Sequence, residues 1–391
     1  MSVSELAHLF DAERCPLLVV KIGSALLVEQ GGDARRDWLG ELVDELASLH
    51  RAGQHIVIVS SGAVALGAAR LELPGGGRSS LADAQAAAAV GQIALAGLWS
   101  DKFAGRGLPA AQLLLTLDDL EDRRRYLNAS TTLRRLLDTG AVPVVNENDS
   151  VATEEIRFGD NDRLAARVAQ ACGAGGVLLL SDVDGLYDRD PDDPDAVLQP
   201  RVTTIDKRVE AMARLRPGEG KDASGTAAGM GTGGMASKLE AARIATRAGI
   251  ALAVVNGRAE RPIARARSGG RGTLFPVPRD AAARSMTARH AWLSGKLDLR
   301  GSVRIDRGCV EALKGGGSLL AAGIVAVEGE FARGDAIAIS GPNGGVLAHG
   351  LSEYDAKQVR AIRGKRSDMH LELLGQPPRA AVVHRDHLVM L

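Results

Sequence analysis

Leu17-Leu18-Val19-Val20-Lys21-Ile22-Gly23-Ser24 sets the pattern on which the fold reading rests. A short aliphatic run ends in a polar residue and glycine, and a helical segment follows. The runs are Leu17–Lys21, His55–Ser60, Ala141–Asn146, Val177–Ser181 and Ala251–Asn256. Helical patterns fill Arg35–Arg51, Leu81–Phe103, Arg123–Asp138, Asp162–Ala171 and Ser237–Ala248. Continuous apolar strands alternating with helices predict an α/β fold, a mostly parallel open sheet sandwiched by helices. In such sheets ligands bind beyond the carboxyl ends of the strands. The polar tips at Lys21–Ser24, Ser60–Ala63, Asn146–Asp149 and Ser181–Gly185 are therefore expected to share one crevice.

The stretch Gly231-Thr232-Gly233-Gly234-Met235-Ala236-Ser237-Lys238 points to what binds there. Glycines let backbone N–H groups approach an anion without a Cβ in the way. A helix start adds unpaired N–H groups and partial positive charge. Lys238 brings a full charge to the same place, so the stretch reads as a site for nucleotide phosphates. It is not a P-loop, because Met235 stands where the lysine should be. Gly229 to Gly234 satisfy the letters of a dinucleotide-binding turn, but the polar and small residues before them are not the strand that turn requires.

Composition narrows the class. The 391 residues suffice for two domains, and Lys plus Arg (48) equals Asp plus Glu (48). No global charge draws the chain to nucleic acid or an anionic membrane. Cys15, Cys172 and Cys309 are far apart and form no C-x-x-C pair, which suggests a reducing cytoplasm. The acidic stretch Met1–Arg14 is no signal peptide, and Ala82–Trp99, with Asp83, Gln85 and Gln92, reads as a buried helix, not a membrane span. The eight histidines form no ligand set, and His384 and His387 are expected at the surface. Beyond about Arg279 the texture turns to short strand-like runs, Gly301–Ile305, Ile324–Val327, Ala336–Ile339 and Val346–His349. Two domains follow, residues 1–279 and residues 285–391, with a linker around Phe275–Arg284 that carries Pro276 and Pro278.

Val19–Ser24 resembles the opening of the amino acid kinase family. Four later stretches sharpen the likeness: Ser61-Gly62-Ala63, Pro143–Asp149, Phe158-Gly159-Asp160-Asn161-Asp162 and Gly231–Met235. In that order they resemble the glutamate 5-kinases, nearly end to end, and the tail is similar to the PUA domain many of that group carry. The resemblance implies ATP-dependent phosphorylation of the side-chain carboxylate of L-glutamate, the first step of proline synthesis. It implies Lys21, Lys238 and Asp162 as catalytic residues, with Asp162 holding the two lysines. Ser61, Gly62, Ala63, Asn146, Asp149, Asp160 and Asn161 are implied for the glutamate site. Gly23, Ser24, Ser181, Asp182, Thr232, Gly233, Gly234, Met235, Ala236 and Ser237 join the two lysines on the ATP side. Ser181 stands where many relatives have Thr, which keeps the hydroxyl.

The chemistry fits independently. A carboxylate is already a nucleophile and needs no general base, so the task is to neutralise charge and align two anions. Mg²⁺ is implied by the nucleotide, since metal bridges its phosphates, and no all-protein metal cage is visible. The family often shows feedback inhibition by L-proline and homo-oligomeric assembly, and a glutamyl-phosphate reductase takes its product. These are expectations for this chain too. Two alternatives stay open. A related amino acid kinase would act on another carboxylate. An RNA-binding protein would use the tail's Lys357, Arg360, Arg363, Lys365 and Arg366 on phosphates, although these also fit a solvated helix face and lack aromatic stacking partners. The glycine- and charge-rich segment Arg216–Ala228 reads as a flap or an insertion.

Overall fold

A computed structural model describes residues 3–29, 31–151, 161–214, 234–278, 299–375, 377–379 and 381–391. Asp160, Thr232 and Gly233, the segment 216–228 and the linker beyond residue 278 lie outside the described residues. The chain divides into two compact units, residues 1–120 with 129–281, and residues 121–128 with 282–391.

The first unit is built on β1 (Leu17–Ile22), β2 (His55–Ser60), β3 (Ala110–Leu115), β4 (Val142–Glu147), β5 (Gly176–Ser181), β6 (Ala251–Asn256) and β7 (Gly272–Phe275). They form one sheet in the order β3-β4-β2-β1-β5-β6-β7. All neighbours are parallel except β7, which runs antiparallel to β6. Strands β1, β4 and β5 are buried along their whole length, which is why they read as unbroken apolar runs. Two strands escaped the pattern. β3 is an edge strand with no buried residue, and β7 is four residues long.

The connecting helices are α1 (Ser24–Leu27), α2 (Arg36–Arg51), α3 (Ala63–Arg70), α4 (Leu81–Ala104), α5 (Leu117–Glu121), α6 (Arg123–Asp138), α7 (Asn161–Cys172), α8 (Lys207–Met212), α9 (Met235–Arg247) and α10 (Pro262–Arg267). The α4 helix is long and apolar enough to cross a membrane by length and composition alone. Its buried residues Ala84, Ala87, Ala88, Gly91, Leu95, Leu98, Trp99 and Phe103 instead recur at helical spacing, the stripe of a helix laid on a core.

Helices α3 and α4 meet backbone to backbone. A Cβ on Gly67 would lie 1.7 Å from the Ala87 carbonyl oxygen, and one on Gly91 would lie 1.8 Å from that of Ala63. Only glycine permits that approach, and it fixes the start of α3 against the middle of α4.

The second unit carries a five-stranded sheet, ordered β12-β11-β10-β8-β9. Its strands are β8 (Gly301–Ile305), β9 (Ile324–Gly329), β10 (Ala336–Ser340), β11 (Val346–Leu351) and β12 (Leu388–Met390). Val303, Ile305, Ile337, Ile339, Val359, Ile362, Val382 and Val383 form its core. His387 corrects an expectation: it is buried, with Nδ1 3.7 Å from the Glu353 carboxylate, because β12 carries the C-terminal segment onto the sheet. The basic run is a helix and its end, as a solvated face would be. Arg360 there is bound to Glu330 and to the Gly329 carbonyl.

The close helix contact makes a paired test. Gly91→Ala is expected to lower stability to urea by about 3 kcal/mol or more, since overpacking against backbone has no side chain to yield. Gly97→Ala, in the same helix with nothing within 4 Å of the added carbon, is expected to gain up to about 1 kcal/mol. Equal effects would show that the α3–α4 approach is not tight.

Candidate active site

The strand tips come together as parallel pairing requires. Ile22 is level with Ser60 on one side and Leu180 on the other, Ser181 is level with Asn256, and Leu114 with Asn146. The loops leaving these strands therefore line one end of the sheet.

Lys21 is the one charged residue on β1, and it is 7% exposed. Alternation puts it on the face opposite Leu18, Val20 and Ile22, which belong to the apolar core. On Lys21's side stands the first turn of α7, with Asp162 1% exposed. Lys21 Nζ is 2.6 Å from Asp162 Oδ1, and Lys238 Nζ is 3.6 Å from Oδ2. Lys238 sits in the first turn of α9, whose N-cap is Gly234, the last glycine of that stretch. Burial pushes the Asp162 carboxyl up, but the two ammonium groups outweigh it and hold it below the usual carboxylate range. Two cations around one carboxylate give this three-residue cluster a net positive charge. Gly23 borders the cluster: a Cβ there would lie 3.8 Å from the Lys21 ammonium, an ordinary contact.

A second group of polar side chains lies beside this cluster. Asn161 Nδ2 donates to Ser61 Oγ at 2.8 Å and, more weakly, to Asn146 Oδ1 at 3.5 Å. Asn146 Nδ2 donates to Gln92 Oε1 at 2.7 Å. Asn161 and Asn146 are both buried. Ser61 leads into Gly62, whose φ of +113° turns the chain into α3. That left-handed corner directs the first amides of α3 toward the end of the sheet. Asp149 stands after β4, half-buried; burial pushes its carboxyl up to about 6, with Arg78 pulling the other way. A cavity of about 310 Å³ opens beside Gln92, Ile93, Gln112, Leu114, Glu147 and Asp149.

Across the sheet, the loop after β5 bounds a cleft of about 290 Å³ with α9. Asp182, Gly185, Tyr187, Met235, Ala236 and Lys238 are among its lining residues. Ser181 Oγ donates to Asp182 Oδ1 at 3.2 Å. Thr273 of β7 clamps this loop, accepting from the Leu186 amide at 2.8 Å and donating to the Gln199 carbonyl at 2.7 Å. A Cβ on Gly185 would lie 2.3 Å from Thr273 Oγ1. Asp184 is held by Asn256 at 3.1 Å and Arg271 at 3.2 Å.

The structure thus brings Lys21, Gly23, Lys238 and Asp162 together, and Ser61, Gly62, Asn146 and Asn161 beside them. Sequence reasoning passed over Gln92, Trp99, Asn256 and Thr273. Trp99 Nε1 donates to Ser60 Oγ at 2.9 Å, so α4 touches two strand tips from positions 92 and 99, two helical turns apart. The polar residues inside the apolar stretch of α4 were the available signal. Thr273 lies in a strand too short to announce itself.

A sheet whose carboxyl end gathers two lysines about one aspartate, with a glycine-led helix beside them, is built for phosphoryl transfer. The chain belongs to the amino acid kinase family, whose profile matches residues 16–256, and the PUA domain profile matches residues 301–370. Within that family it groups with the glutamate 5-kinases. It is 58% identical to the glutamate 5-kinase of Novosphingobium aromaticivorans, over the whole of both chains. The glutamate 5-kinase of Sphingopyxis alaskensis is 57% identical over 98% of this chain and 100% of that one. For that of Zymomonas mobilis the identity is 54% over 98% of this chain and 93% of that one.

The cluster makes a direct prediction. Asp162→Asn leaves two buried ammonium groups without their counter-charge, and breaking a buried pair costs about 3–5 kcal/mol. Lower stability at neutral pH, by calorimetry, and lower kcat are both expected. Unchanged values would remove Asp162 as the organiser of the lysines.

Proposed function

We propose that the chain transfers the γ-phosphoryl group of ATP to the side-chain carboxylate of L-glutamate. L-Glutamyl 5-phosphate and ADP are the products, in the first step of proline synthesis. The Lys21–Asp162–Lys238 cluster is the observation that carries this reading. A carboxylate oxygen of glutamate attacks the γ-phosphorus, and the bond from phosphorus to the β,γ-bridging oxygen breaks. Its electron pair leaves with ADP. No proton moves, so no general base is needed. Lys21 offsets the charge of the transferring group, and Lys238 the charge growing on the leaving side. The adenosine side of ATP is assigned to the cleft between the β5 loop and α9. Gly23, Ser24, Ser181, Asp182 and residues 232–238 are assigned to the nucleotide, those outside the described residues included. Ser61, Gly62, Ala63, Asn146, Asp149, Asp160 and Asn161 are assigned to glutamate, with Asp149 on its ammonium group.

A kinase using ATP works with a divalent metal, and we take it to be Mg²⁺. Among the described residues no group of three or more His, Cys, Asp or Glu side chains could hold a metal ion. The donors at the site are instead ammonium groups and amides, which suit phosphate oxygens. The ion is therefore assigned to the nucleotide phosphates, where it would bridge them and draw off charge. Residues 1–279 are taken as the kinase domain and 285–391 as the PUA-like domain. Homo-oligomeric assembly, feedback by L-proline, hand-over to a glutamyl-phosphate reductase and a cytoplasmic location belong to the same reading. The edge strand β3, with Leu114 38% exposed, and Ile93 of α4, 76% exposed at the same cavity, support assembly. RNA is not assigned as a partner, since Arg360 of the basic run is already taken up within its own unit.

The test is ADP release with glutamate, aspartate, N-acetylglutamate and UMP side by side. Turnover is expected with glutamate alone, and preference for any other would sink the reading. Lys238→Ala should cut kcat by at least about a hundredfold, with a smaller effect on glutamate KM.

The Asp149 carboxyl must be ionised to hold an ammonium group. With its pKa pushed up to about 6, glutamate KM should be flat above pH 7 and rise toward about tenfold per pH unit below 6. Asp149→Asn should raise KM and flatten that profile. A wild-type profile already flat to pH 5 would take Asp149 out of the site.

A further inference from the structure

We infer that Gln92 is a positioning residue for the α-ammonium group of the substrate, acting through a relay of side-chain amides. This rests on glutamate binding at Asn161 and Asp149, as proposed above. An amide offers an acceptor oxygen and a donor nitrogen at opposite corners, so one fixed neighbour decides which corner faces the next. Gln92 Oε1 accepts from Asn146 Nδ2 at 2.7 Å. That contact leaves the oxygen of Asn146 toward Asn161, whose Nδ2 lies 3.5 Å away and also donates to Ser61 Oγ at 2.8 Å.

The outcome is at Asn161. Its nitrogen is engaged, and among the described residues its Oδ1 is buried with no hydrogen-bond partner. A buried acceptor without a partner costs free energy unless a donor arrives. Asp149 follows Asn146 by three residues, just beyond β4, so the group that fits is a hydrogen-rich cation. A carboxylate, with acceptors only, would meet oxygen with oxygen. If Gln92 offered no acceptor, Asn146 and Asn161 could both turn over, presenting N–H where the ammonium must sit.

Gln92 is placed for this by packing. It follows Gly91, where α4 meets α3 backbone to backbone, and α3 starts at the Ser61–Gly62 corner. Both ends of the relay, Gln92 and Ser61, thus hang from one rigid helix pair.

The experiment compares the binding of glutamate and of glutarate, which lacks the ammonium group, by calorimetry on the full chain. Gln92→Met keeps length and removes the acceptor, Gln92→Glu keeps an acceptor, and Gln92→Ala serves if the Met variant does not fold. For Gln92→Met we expect glutamate Kd to rise about tenfold or more, with ATP Kd within about twofold. The glutarate-to-glutamate Kd ratio should shrink by the same factor, and Gln92→Glu should restore most of it. An unchanged ratio would show that Gln92 only packs, and a Glu variant as impaired as the Met variant would break the relay. Wild-type protein that binds no glutamate would overturn the substrate assignment along with this inference, and would do so before any substitution is made.

Discussion

The lysine cluster at the end of the sheet depends on one buried carboxylate being shared by two ammonium groups. Asp162 is ionised where it lies because Lys21 and Lys238 outweigh the cost of its burial, and without it both buried lysines would lose that counter-charge. Together they keep one positive charge in excess, at low local dielectric, where it acts most strongly on a phosphate. The cluster also ties three segments remote in sequence: the first strand, the helix after residue 160, and the helix that follows the glycine-rich stretch. Charge arrangement and tertiary closure are the same event.

The glutamate side is organised by a different force. Apart from the carboxylates assigned there, the polar groups are neutral amides and a hydroxyl, and the order among them comes from the fit of α3 on α4. Two glycines allow the helices to touch, and from that contact α4 reaches one strand tip with Gln92 and another with Trp99. In the proposed reaction the ionic cluster positions a phosphoryl group by field. In the same proposal the helix pair positions the acceptor by shape and hydrogen-bond polarity. A kinase joining two anions needs both, because field alone would draw either anion to the same spot.

Much of this was legible in the sequence, for physical reasons. Buried parallel strands must be apolar throughout, so β1, β2, β4, β5 and β6 stood out, and their polar tips marked the working edge. Lys21 was readable because a charge ending an aliphatic strand has to be explained. What could not be read was partnership. Nothing local in Gln92 says that it faces Asn146, 54 residues away, nor in Thr273 that it clamps the loop at Leu186, 87 residues back. β3 was missed because an edge strand need not be buried. His387 was misplaced because a tail residue has no period to reveal that a strand beyond it pins it down.

The indole of Trp99 has a use beyond structure. It stacks near Phe103 and donates its N–H to Ser60, the residue before Ser61. Tryptophan emission responds to the polarity and hydrogen bonding around the ring, so this side chain is an optical reporter built into the strand tip assigned to glutamate. Glutamate binding beside it is expected to change its fluorescence in the unlabelled protein. Trp38 is bound instead to the Gly257 carbonyl and supplies a second signal from elsewhere in the same unit.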